Sequence, residues 1–451
     1  MESLECYVGA SKIDPLNLIA YHNCANLMFK MNNYQQAIDL YSKAYHIDNS
    51  HVSSLIGIAN TYDAMGNYLQ AINVFENVLE KFKNNQAGLI GLGNLYRNIG
   101  QYEKSLEMAE EAVRHYPHVD NSYYLRGVVR KELGFLNEAL DDFTKIIEIS
   151  PRSALAKNNK AMTHLMMGDY IRGWPLYEAR WELEAGQKKI YPSNKPTWNG
   201  RLGGSLLIWP EQGVGDQVMY SAILPDVAAR VDHLFVLVDP RLRDLFQRSF
   251  DDKITFITTR EEAEMTGYEA QLPMASLARY FRNSETDFKS AASPFLKPNL
   301  QRVESMQRQL EKKENETLVG VSWKSVNPKN GSKRGVELHE FLEKIHVPGV
   351  RYVNLQYGDV TEDLLSLKEK SNLTMTTLHD LDNFQDIDGL AALIMACDEV
   401  VSIDNSTVHL SGALGQTTTI LLQKSPDWRW QLNRSDSPWY HSVKLIRDAI
   451  C

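Results

Sequence analysis

A chain of 451 residues is too long for one hydrophobic core, and its length predicts roughly two to four domains. With 43% hydrophobic and 23% charged residues and a formal net charge of −9, the composition is that of a globular protein and argues against a general binder of nucleic acid or of membrane surfaces. No apolar run approaches the roughly 18 to 20 residues that predict a transmembrane segment, and no basic-then-apolar signal peptide is predicted at the N-terminus.

A repeat of 34 residues runs through the first part of the chain. Small residues recur at two positions, large side chains at a third and turn-forming residues at a fourth. The sets are Ala25, Ala59, Gly93, Gly127 and Ala161; Ala37, Ala71, Ser105, Ala139 and Gly173; Tyr41, Phe75, Phe143 and Tyr177, with Ala109 the exception; and Asn32, Gly66, Gly100, Gly134 and Gly168. This tetratricopeptide-repeat (TPR) pattern predicts an α-solenoid of about five repeats within residues 1–184.

Such an array leaves a concave groove, which is interpreted either as a site for a peptide or protein or as part of a structural spacer. Asn26, Asn60 and Asn94 recur at the same 34-residue step, directly after a small residue of the first helix in each unit. Their amides either hydrogen-bond an extended peptide backbone or are merely solvated.

The pattern then changes. Residues 185–204 contain Pro192 and Pro196 with several glycines and are predicted to form a linker. Beyond them, apolar strands alternate with helical segments, which is typical of parallel βαβ units. Two Rossmann-like halves are predicted, at 205–315 and 316–451, with ligands bound at the carboxyl ends of their strands.

The predicted strands and helices of these halves follow directly from the hydrophobic pattern. The strands are 206–209, 234–238, 254–258, 317–323, 351–357, 373–378, 399–404 and 417–422, and the helices of the second half are 337–346, 361–370, 388–397 and 406–414. The charged stretch 301–316 is predicted to separate the halves.

The sequence Glu-Gln-Gly-Val-Gly-Asp at 211–216 stands where the first predicted strand passes into a helix. One interpretation is a plain turn. The other is a site in which Gly213 and Gly215 let a substrate approach the backbone beside the carboxylate of Asp216, with Gln212 as a further contact. The spacing is not that of the Gly-x-Gly-x-x-Gly dinucleotide fingerprint, and no Walker A sequence is present.

A second junction of this kind lies in the later half. Asp404, Asn405, Ser406 and Thr407 follow a predicted strand and begin a helix, which Asn405 or Ser406 can cap. The free amides and the positive end of the helix dipole would suit a diphosphate, and His409, one turn further, could hydrogen-bond the same ligand. The alternative is an ordinary capped helix with a packed histidine.

Between the two junctions, a strand is followed by a polar, basic loop with Lys324, Lys329, Lys333 and Arg334. This loop is either simply solvated, or its cations neutralise a departing nucleoside diphosphate.

No metal ligands are predicted. Asp386 and Asp388 head a helix and are interpreted as its first-turn acids. The cysteines lie far apart without Cys-x-x-Cys spacing, at Cys6, Cys24, Cys397 and Cys451. They are interpreted as reduced thiols of a cytoplasmic protein.

Three segments together resemble a known family: EQGVGDQVMYSAILPDVAARV, DIDGLAALIMACDEVVSIDNSTVHLSGALG and SPDWRWQLNRSDSPWYHSVKLIRD. They are similar to bacterial TPR glycosyltransferases, whose catalytic part resembles the ADP-heptose:lipopolysaccharide heptosyltransferase family with its GT-B fold. The segment RGWPLYEARWE at the last repeat also looks like this group, so the resemblance covers essentially the whole chain.

The resemblance implies roles for single residues. Asp216 matches the acid proposed as general base toward the acceptor hydroxyl in heptosyltransferases. Asp404 and His409 match the Asp-x-x-x-x-His that lines the nucleotide-sugar site, together with the amides near Ser406 and Thr407.

In the same way, Lys324 matches the strand-end lysine that contacts the donor phosphate. The chain departs from the family pattern in the basic loop, where Arg334 is followed by Gly335 instead of a serine. The roles of Lys333 and Arg334, as phosphate or acceptor contacts, are therefore left open.

These observations predict a metal-independent glycosyltransferase that uses a nucleotide-sugar donor and no further cofactor. The TPR groove would present the acceptor, a protein such as flagellin or another surface protein. The alternative is a non-catalytic TPR scaffold fused to a degenerate domain that binds sugar nucleotides.

Overall fold

The computed structural model describes residues 14–289, 294–325 and 335–448. The predicted contacts Lys333 and Arg334 therefore lie outside the described residues. The chain divides into two compact units, the first ending at Lys160 and the second beginning at Ala161.

Helices follow one another through the first unit and into the second, separated by short turns. They are α1 (Leu18–Lys30), α2 (Tyr34–Ile47), α3 (Val52–Ala64), α4 (Tyr68–Lys81), α5 (Gln86–Asn98), α6 (Tyr102–His115), α7 (Asp120–Glu132), α8 (Leu136–Ile149), α9 (Ala154–Met166) and α10 (Tyr170–Tyr177). The predicted pairs of helices are confirmed.

The 34-residue register explains these helices physically. Every predicted turn residue has a positive φ between 61° and 84°, the left-handed region that glycine and asparagine adopt most easily. The turn residues are Asn32, Gly66, Gly100, Gly134 and Gly168. The recurring small residues are buried, and so are the recurring aromatic side chains, such as Phe75 and Phe143 at 1% and 0% exposure.

Helix α10, predicted as the end of the last repeat, packs within the second unit. The indole nitrogen of Trp174 donates to the carbonyl of Arg282 at 2.6 Å, and its ring makes an edge contact with Trp428 at 5.5 Å. Trp174 is 1% exposed. This burial explains why α10 belongs with the second unit.

The second unit contains two parallel sheets, one of four strands in the order β3-β2-β1-β4 and one of six in the order β10-β9-β8-β5-β6-β7. The strands are β1 (Ser205–Trp209), β2 (His233–Leu237), β3 (Ile254–Ile257), β4 (Ala270–Pro273), β5 (Thr317–Ser322), β6 (Val350–Asn354), β7 (Met375–Thr376), β8 (Glu399–Ser402), β9 (Thr418–Leu421) and β10 (Val443–Ile446).

Helices precede and connect these strands. They are α11 (Glu184–Gln187), α12 (Val214–Ser221), α13 (Leu224–Ala228), α14 (Arg243–Ser249), α15 (Arg260–Met265), α16 (Ala278–Phe281), α17 (Glu285–Lys289), α18 (Leu300–Leu310), α19 (Leu338–Ile345), α20 (Thr361–Lys370), α21 (Ile387–Ala396) and α22 (Ser406–Ala413).

The structure differs from the predicted pattern in three places. Strands β4 and β10 were not predicted: each is only four residues long, and β4, with the sequence Ala-Gln-Leu-Pro, also carries little apolar sequence. The predicted linker 185–204 packs its Trp198 at 2% exposure, and the Trp198 amide donates to Gln271 at 2.9 Å. The stretch 301–316 lies largely in α18, whose Arg302 forms an ion pair with Asp386.

Gly91 gives a test of the repeat packing. A methyl group at this position of α5 would overlap the buried ring of Phe75. We expect Gly91→Ala to lower the free energy of unfolding by about 1 to 3 kcal/mol, because overpacking outweighs the gain of about 0.5 to 1 kcal/mol that the same change brings in an open helix. Chemical denaturation of the full-length protein measures this.

The control is Ser53→Ala on the exposed side of α3, which should change the stability by less than about 0.5 kcal/mol. A Gly91→Ala protein that is more stable than the wild type would show that the ring of Phe75 does not rest on α5.

Candidate functional site

The carboxyl ends of strands from both sheets open onto one cleft of about 570 Å³. Its wall includes the start of α12, with Gly213 and Asp216, and the start of α22, with Ser406 and His409. The two predicted junctions therefore lie at the same cleft, as expected for ligand sites of parallel α/β sheets.

The two glycines of the first junction differ in what a side chain at each position would contact. A Cβ atom on Gly215 would lie 2.9 Å from His409 Cδ2 and 3.3 Å from Ser406 Cα, so the missing side chain lets α12 and α22 touch. A Cβ atom on Gly213 would meet only a carboxylate oxygen of Asp216, at 3.9 Å. Gly215 thus has a packing role and also lines the cleft, and the expectation that both glycines open the backbone to a ligand stays a prediction.

Asp216 forms an ion pair with Arg429, a residue that sequence reasoning did not single out. Arg429 also binds Asp427 at 2.6 Å, and its guanidinium lies 4.7 Å from the ring of Trp428. Burial alone would lower the pKa of Arg429, but the carboxylates of Asp216 and Asp427 raise it well above its ordinary value. Arg429 is therefore a permanent cation in the wall of the cleft.

Gln212, predicted as a substrate contact, is held on both sides. Its amide nitrogen donates to the Tyr177 hydroxyl at 3.1 Å, and its amide oxygen accepts from Arg429 at 3.1 Å. Gln212 thus orients Arg429 and lines the cleft at the same time.

Asn405 is the cap of α22. Its side-chain oxygen accepts from the amide of Thr407 at 3.0 Å, and its nitrogen donates to Ser322 Oγ at 2.8 Å. Thr407 is fully buried and its hydroxyl contacts Ser322 at 3.3 Å. The prediction that Thr407 offers a free amide to a ligand is therefore wrong, because Asn405 already occupies it, whereas Ser406 faces the cleft.

His409 is buried beside the cleft at 5% exposure. Its Nδ1 lies 2.9 Å from the Tyr440 hydroxyl, and its ring stacks on Trp430 with centroids 5.4 Å apart. These contacts hold the imidazole in one orientation. Asp404, the other residue of the predicted pair, also lines the cleft.

Lys324, expected to contact the donor phosphate, contacts an acidic residue of its own sheet's side instead. Its ammonium group forms an ion pair with Asp363 and donates to the carbonyl of Asp359 at 2.8 Å. It is not among the described residues that line the cleft.

Arg241 lines the cleft, and nothing in the local sequence marked it as a contact. Two of its nitrogens bind the carboxylate of Asp239, both at 2.8 Å. The same guanidinium donates to the carbonyl of Phe384 at 3.0 Å and lies 4.7 Å from its ring. Arg241 thus joins the first sheet's side of the cleft to the second.

The repeated asparagines of the first unit do not share one environment. Asn26 is half-buried and accepts a hydrogen bond from the Tyr41 hydroxyl at 2.5 Å, whereas Asn60 is exposed and Asn94 half-buried. The side-chain oxygen of Asn26 is therefore already engaged within the repeat.

Three comparisons place the chain among known proteins. A family model of the tetratricopeptide repeat matches residues 64–127. Protein FlbA of Caulobacter vibrioides is 31% identical over 366 residues, which are 74% of this chain and 59% of that protein. The chain thus spans about three-fifths of the length of this relative.

Among solved structures, the TPR protein YrrB, which has an unusual peptide-binding site, is 24% identical, with 40% of this chain and 93% of that chain covered and a TM-score of 0.31. Yeast Tom70 is 19% identical, with 41% and 39% covered and a TM-score of 0.38. A TPR protein of Parabacteroides merdae is also 19% identical, with 41% and 75% covered and a TM-score of 0.36.

The chain therefore carries TPR repeats in its N-terminal region, followed by a region of parallel sheets, and is similar to FlbA. TPR arrays are surfaces that typically take a peptide or protein partner. In the part of the chain that the structure describes, no helix is long and apolar enough to cross a membrane.

The glycine pair gives a matched test of the site. We expect Gly215→Ala to lower the free energy of unfolding by about 1 to 3 kcal/mol, because the new methyl group forces α12 and α22 apart. Gly213→Ala should cost less, no more than about 1 kcal/mol, since Gly213 has a φ of −71°, a Cβ atom there makes only an ordinary contact with Asp216, and the change loses only the preference for glycine at an N-cap. Thermal and denaturant unfolding of both variants would measure the difference, and equal losses would contradict it.

Proposed function

We propose that the second unit transfers a sugar from a nucleotide-sugar donor to an acceptor and that the cleft is its active site. One observation carries this proposal: α12 and α22 begin side by side at one cleft, at the carboxyl ends of strands from two parallel sheets. The first amides of a helix have no partners within it, and its N-terminal dipole end attracts anions. A diphosphate is the ligand chemistry that this arrangement favours.

The charges of the cleft support the same chemistry. Arg241 and Arg429 face it beside the carboxylates of Asp216, Asp404 and Asp427. Glycosyl transfer needs a base for the acceptor hydroxyl and a positive field for the leaving diphosphate. Asp216 is the proposed base, and the helix ends with the two arginines provide the field.

The repeats are proposed to bind the acceptor, a peptide or protein, in their groove. The TPR match supports a protein partner, and the exposed amide of Asn60 is a group that could bond an extended backbone. The rival function is a TPR scaffold whose second unit binds sugar nucleotides without turnover.

Nucleotide binding is tested with a panel of nucleoside diphosphates and nucleotide sugars. At a ligand concentration of 100 times Kd, binding to the folded state adds about 2.7 kcal/mol of stability, which a thermal shift detects readily. We expect at least one nucleotide to raise the Tm of the wild type, and the shift to shrink in Arg429→Met. No shift with any nucleotide in the panel would contradict both the transferase and its rival.

The base is tested with Asp216→Asn, which keeps the shape of the side chain and removes its basicity. We expect turnover at saturating donor and acceptor to fall by about 10² to 10⁴, the usual contribution of a general base, without loss of nucleotide affinity. The matched control is Asp427→Asn, which removes the other carboxylate on Arg429 and should cost far less turnover. Near-wild-type turnover of Asp216→Asn would reduce the motif to a strand-to-helix turn.

A further inference from the structure

Helix α10 ends in a tyrosine whose hydroxyl binds a residue of the cleft wall. Tyr177 is 7% exposed, and its hydroxyl accepts a hydrogen bond from the side-chain nitrogen of Gln212 at 3.1 Å. In the 34-residue register the same position holds Tyr41, Phe75 and Phe143. The rings of the two phenylalanines are buried without a hydroxyl, so packing at this position does not require one. The hydroxyl of Tyr177 therefore serves something other than packing.

The amide of Gln212 has only one way to bridge its two neighbours. A guanidinium group donates hydrogen bonds and cannot accept them, so the amide oxygen of Gln212 must face Arg429, which donates to it at 3.1 Å. The amide nitrogen then points the other way and donates to Tyr177. The hydroxyl of Tyr177 thus fixes the rotation of the amide and, through it, one side of the guanidinium group.

Asp216 lies at the other end of this chain of hydrogen bonds. The atom of Arg429 that donates to Gln212 is Nη2, and the same nitrogen donates to Oδ1 of Asp216. The second carboxylate oxygen, Oδ2, lies on the side of Gly213, 3.9 Å from where a Cβ atom on that glycine would be. Gly213 and Asp216 both line the cleft. A fixed guanidinium group therefore engages Oδ1 and keeps Oδ2 on the side of Gly213.

Aromatic packing ties Arg429 to the same helix. Trp428, its neighbour in the chain, is 5% exposed and makes edge contacts with the rings of Trp174 and Tyr177 at 5.5 and 5.9 Å. The guanidinium group of Arg429 lies 4.7 Å from the ring of Trp428. Helix α10 thus holds Arg429 twice, by ring packing and by a bridged hydrogen bond, and a reacting group is aimed well only when such supports lock its neighbours.

We infer that Tyr177 is a positioning residue of the site and that its hydroxyl, through Gln212 and Arg429, sets the orientation of the carboxylate of Asp216. The inference rests on the proposed function, in which Asp216 takes the proton of the acceptor hydroxyl. Tyr177 is not among the described residues that line the cleft, so it acts only through its neighbours. A base that points in a wrong direction removes the proton more slowly, while the donor still binds.

Tyr177→Phe tests this role, because it removes the hydroxyl and keeps the ring. Loss of one such hydrogen bond should lower kcat by about 3- to 10-fold. The KM for the donor should change by less than about twofold, since the charge of Arg429 remains in place. The matched control is Tyr170→Phe, which removes a buried hydroxyl of the same helix that binds Gln431 at 2.7 Å, and its kcat should stay within about twofold of the wild type.

Two results of this comparison would overturn the inference. One is a kcat of Tyr177→Phe at the wild-type level in a protein that transfers sugar. The other is an equal loss of kcat in Tyr177→Phe and Tyr170→Phe, which would show a general effect of removing hydroxyls from α10.

A double-mutant cycle tests the path of the effect. Methionine has nearly the length of glutamine and lacks the amide, and Gln212 is only half-buried, so Gln212→Met is a mild change. If the hydroxyl acts through Gln212, Tyr177→Phe should lower kcat in the wild type and should not lower it further in Gln212→Met. Equal losses in both backgrounds would mean that Tyr177 acts by another path, and the inference would fail.

The same cycle in thermal unfolding needs no turnover. Tyr177→Phe should lower the Tm of the wild type by about 1 to 4 °C, the usual effect of one buried hydrogen bond, and should not lower that of Gln212→Met, where the hydroxyl has lost this donor. Equal shifts in both backgrounds overturn the link between the two side chains. Coupled shifts in a protein that transfers sugar from no nucleotide sugar overturn the proposed function and leave the link standing.

Discussion

Gly215 lies where the first turn of α12 meets the first turn of α22, and the absence of a side chain there sets the distance between the two helices. The walls of the cleft follow from this contact. Asp216, the next residue, forms an ion pair with Arg429. On the opposite helix, His409 packs between Gly215 and the ring of Trp430. Since packed interiors do not deform continuously, a change at this contact would move both helix ends together.

Two partly or fully buried arginines, one in the wall of the cleft and one behind the same loop, hold four carboxylates. Arg180 binds Glu211 and Glu178, and Arg429 binds Asp216 and Asp427. Removal of one member of a buried ion pair typically costs about 3 to 5 kcal/mol, because the remaining charge is left without compensation. The site is thus also a structural element, so any variant of these groups needs a stability measurement beside its activity.

The sequence pattern predicted the helical repeats and most strands correctly, because both depend on local periodicity. Turn residues such as Gly66 and buried rings such as Phe75 recur at the same 34-residue step, and this repeat is enough to predict each pair of helices. The two strand-to-helix junctions were also found locally, as was the cap of α22 by Asn405. Each of these features depends on residues within a few positions of one another.

What the sequence did not reveal depends on contacts between distant residues. Arg429 binds Asp216, which lies 213 positions earlier in the chain, and no local motif predicts that pairing. The packing role of Gly215, the second glycine of the first junction, was not predicted, since the helix that it contacts comes from the other half. Lys324 was expected at the phosphate for its position after β5, but the carboxylate that holds it, Asp363, lies on α20.

Both acids of the first junction come from one stretch of six residues, yet their partners come from opposite ends of the second unit. Arg180 follows α10 at the start of that unit, and Arg429 lies near its end. Glu211 is buried against the first and Asp216 faces the cleft beside the second, so the same short loop holds two carboxylates in different surroundings. Environment, more than residue type, sets the proton affinity of a carboxyl group, and burial raises the pKa of Glu211 to about 7. The segment after the last repeat is therefore as much a part of the site as the strand ends themselves, because without Arg180 the buried carboxylate of Glu211 would lose its counter-ion.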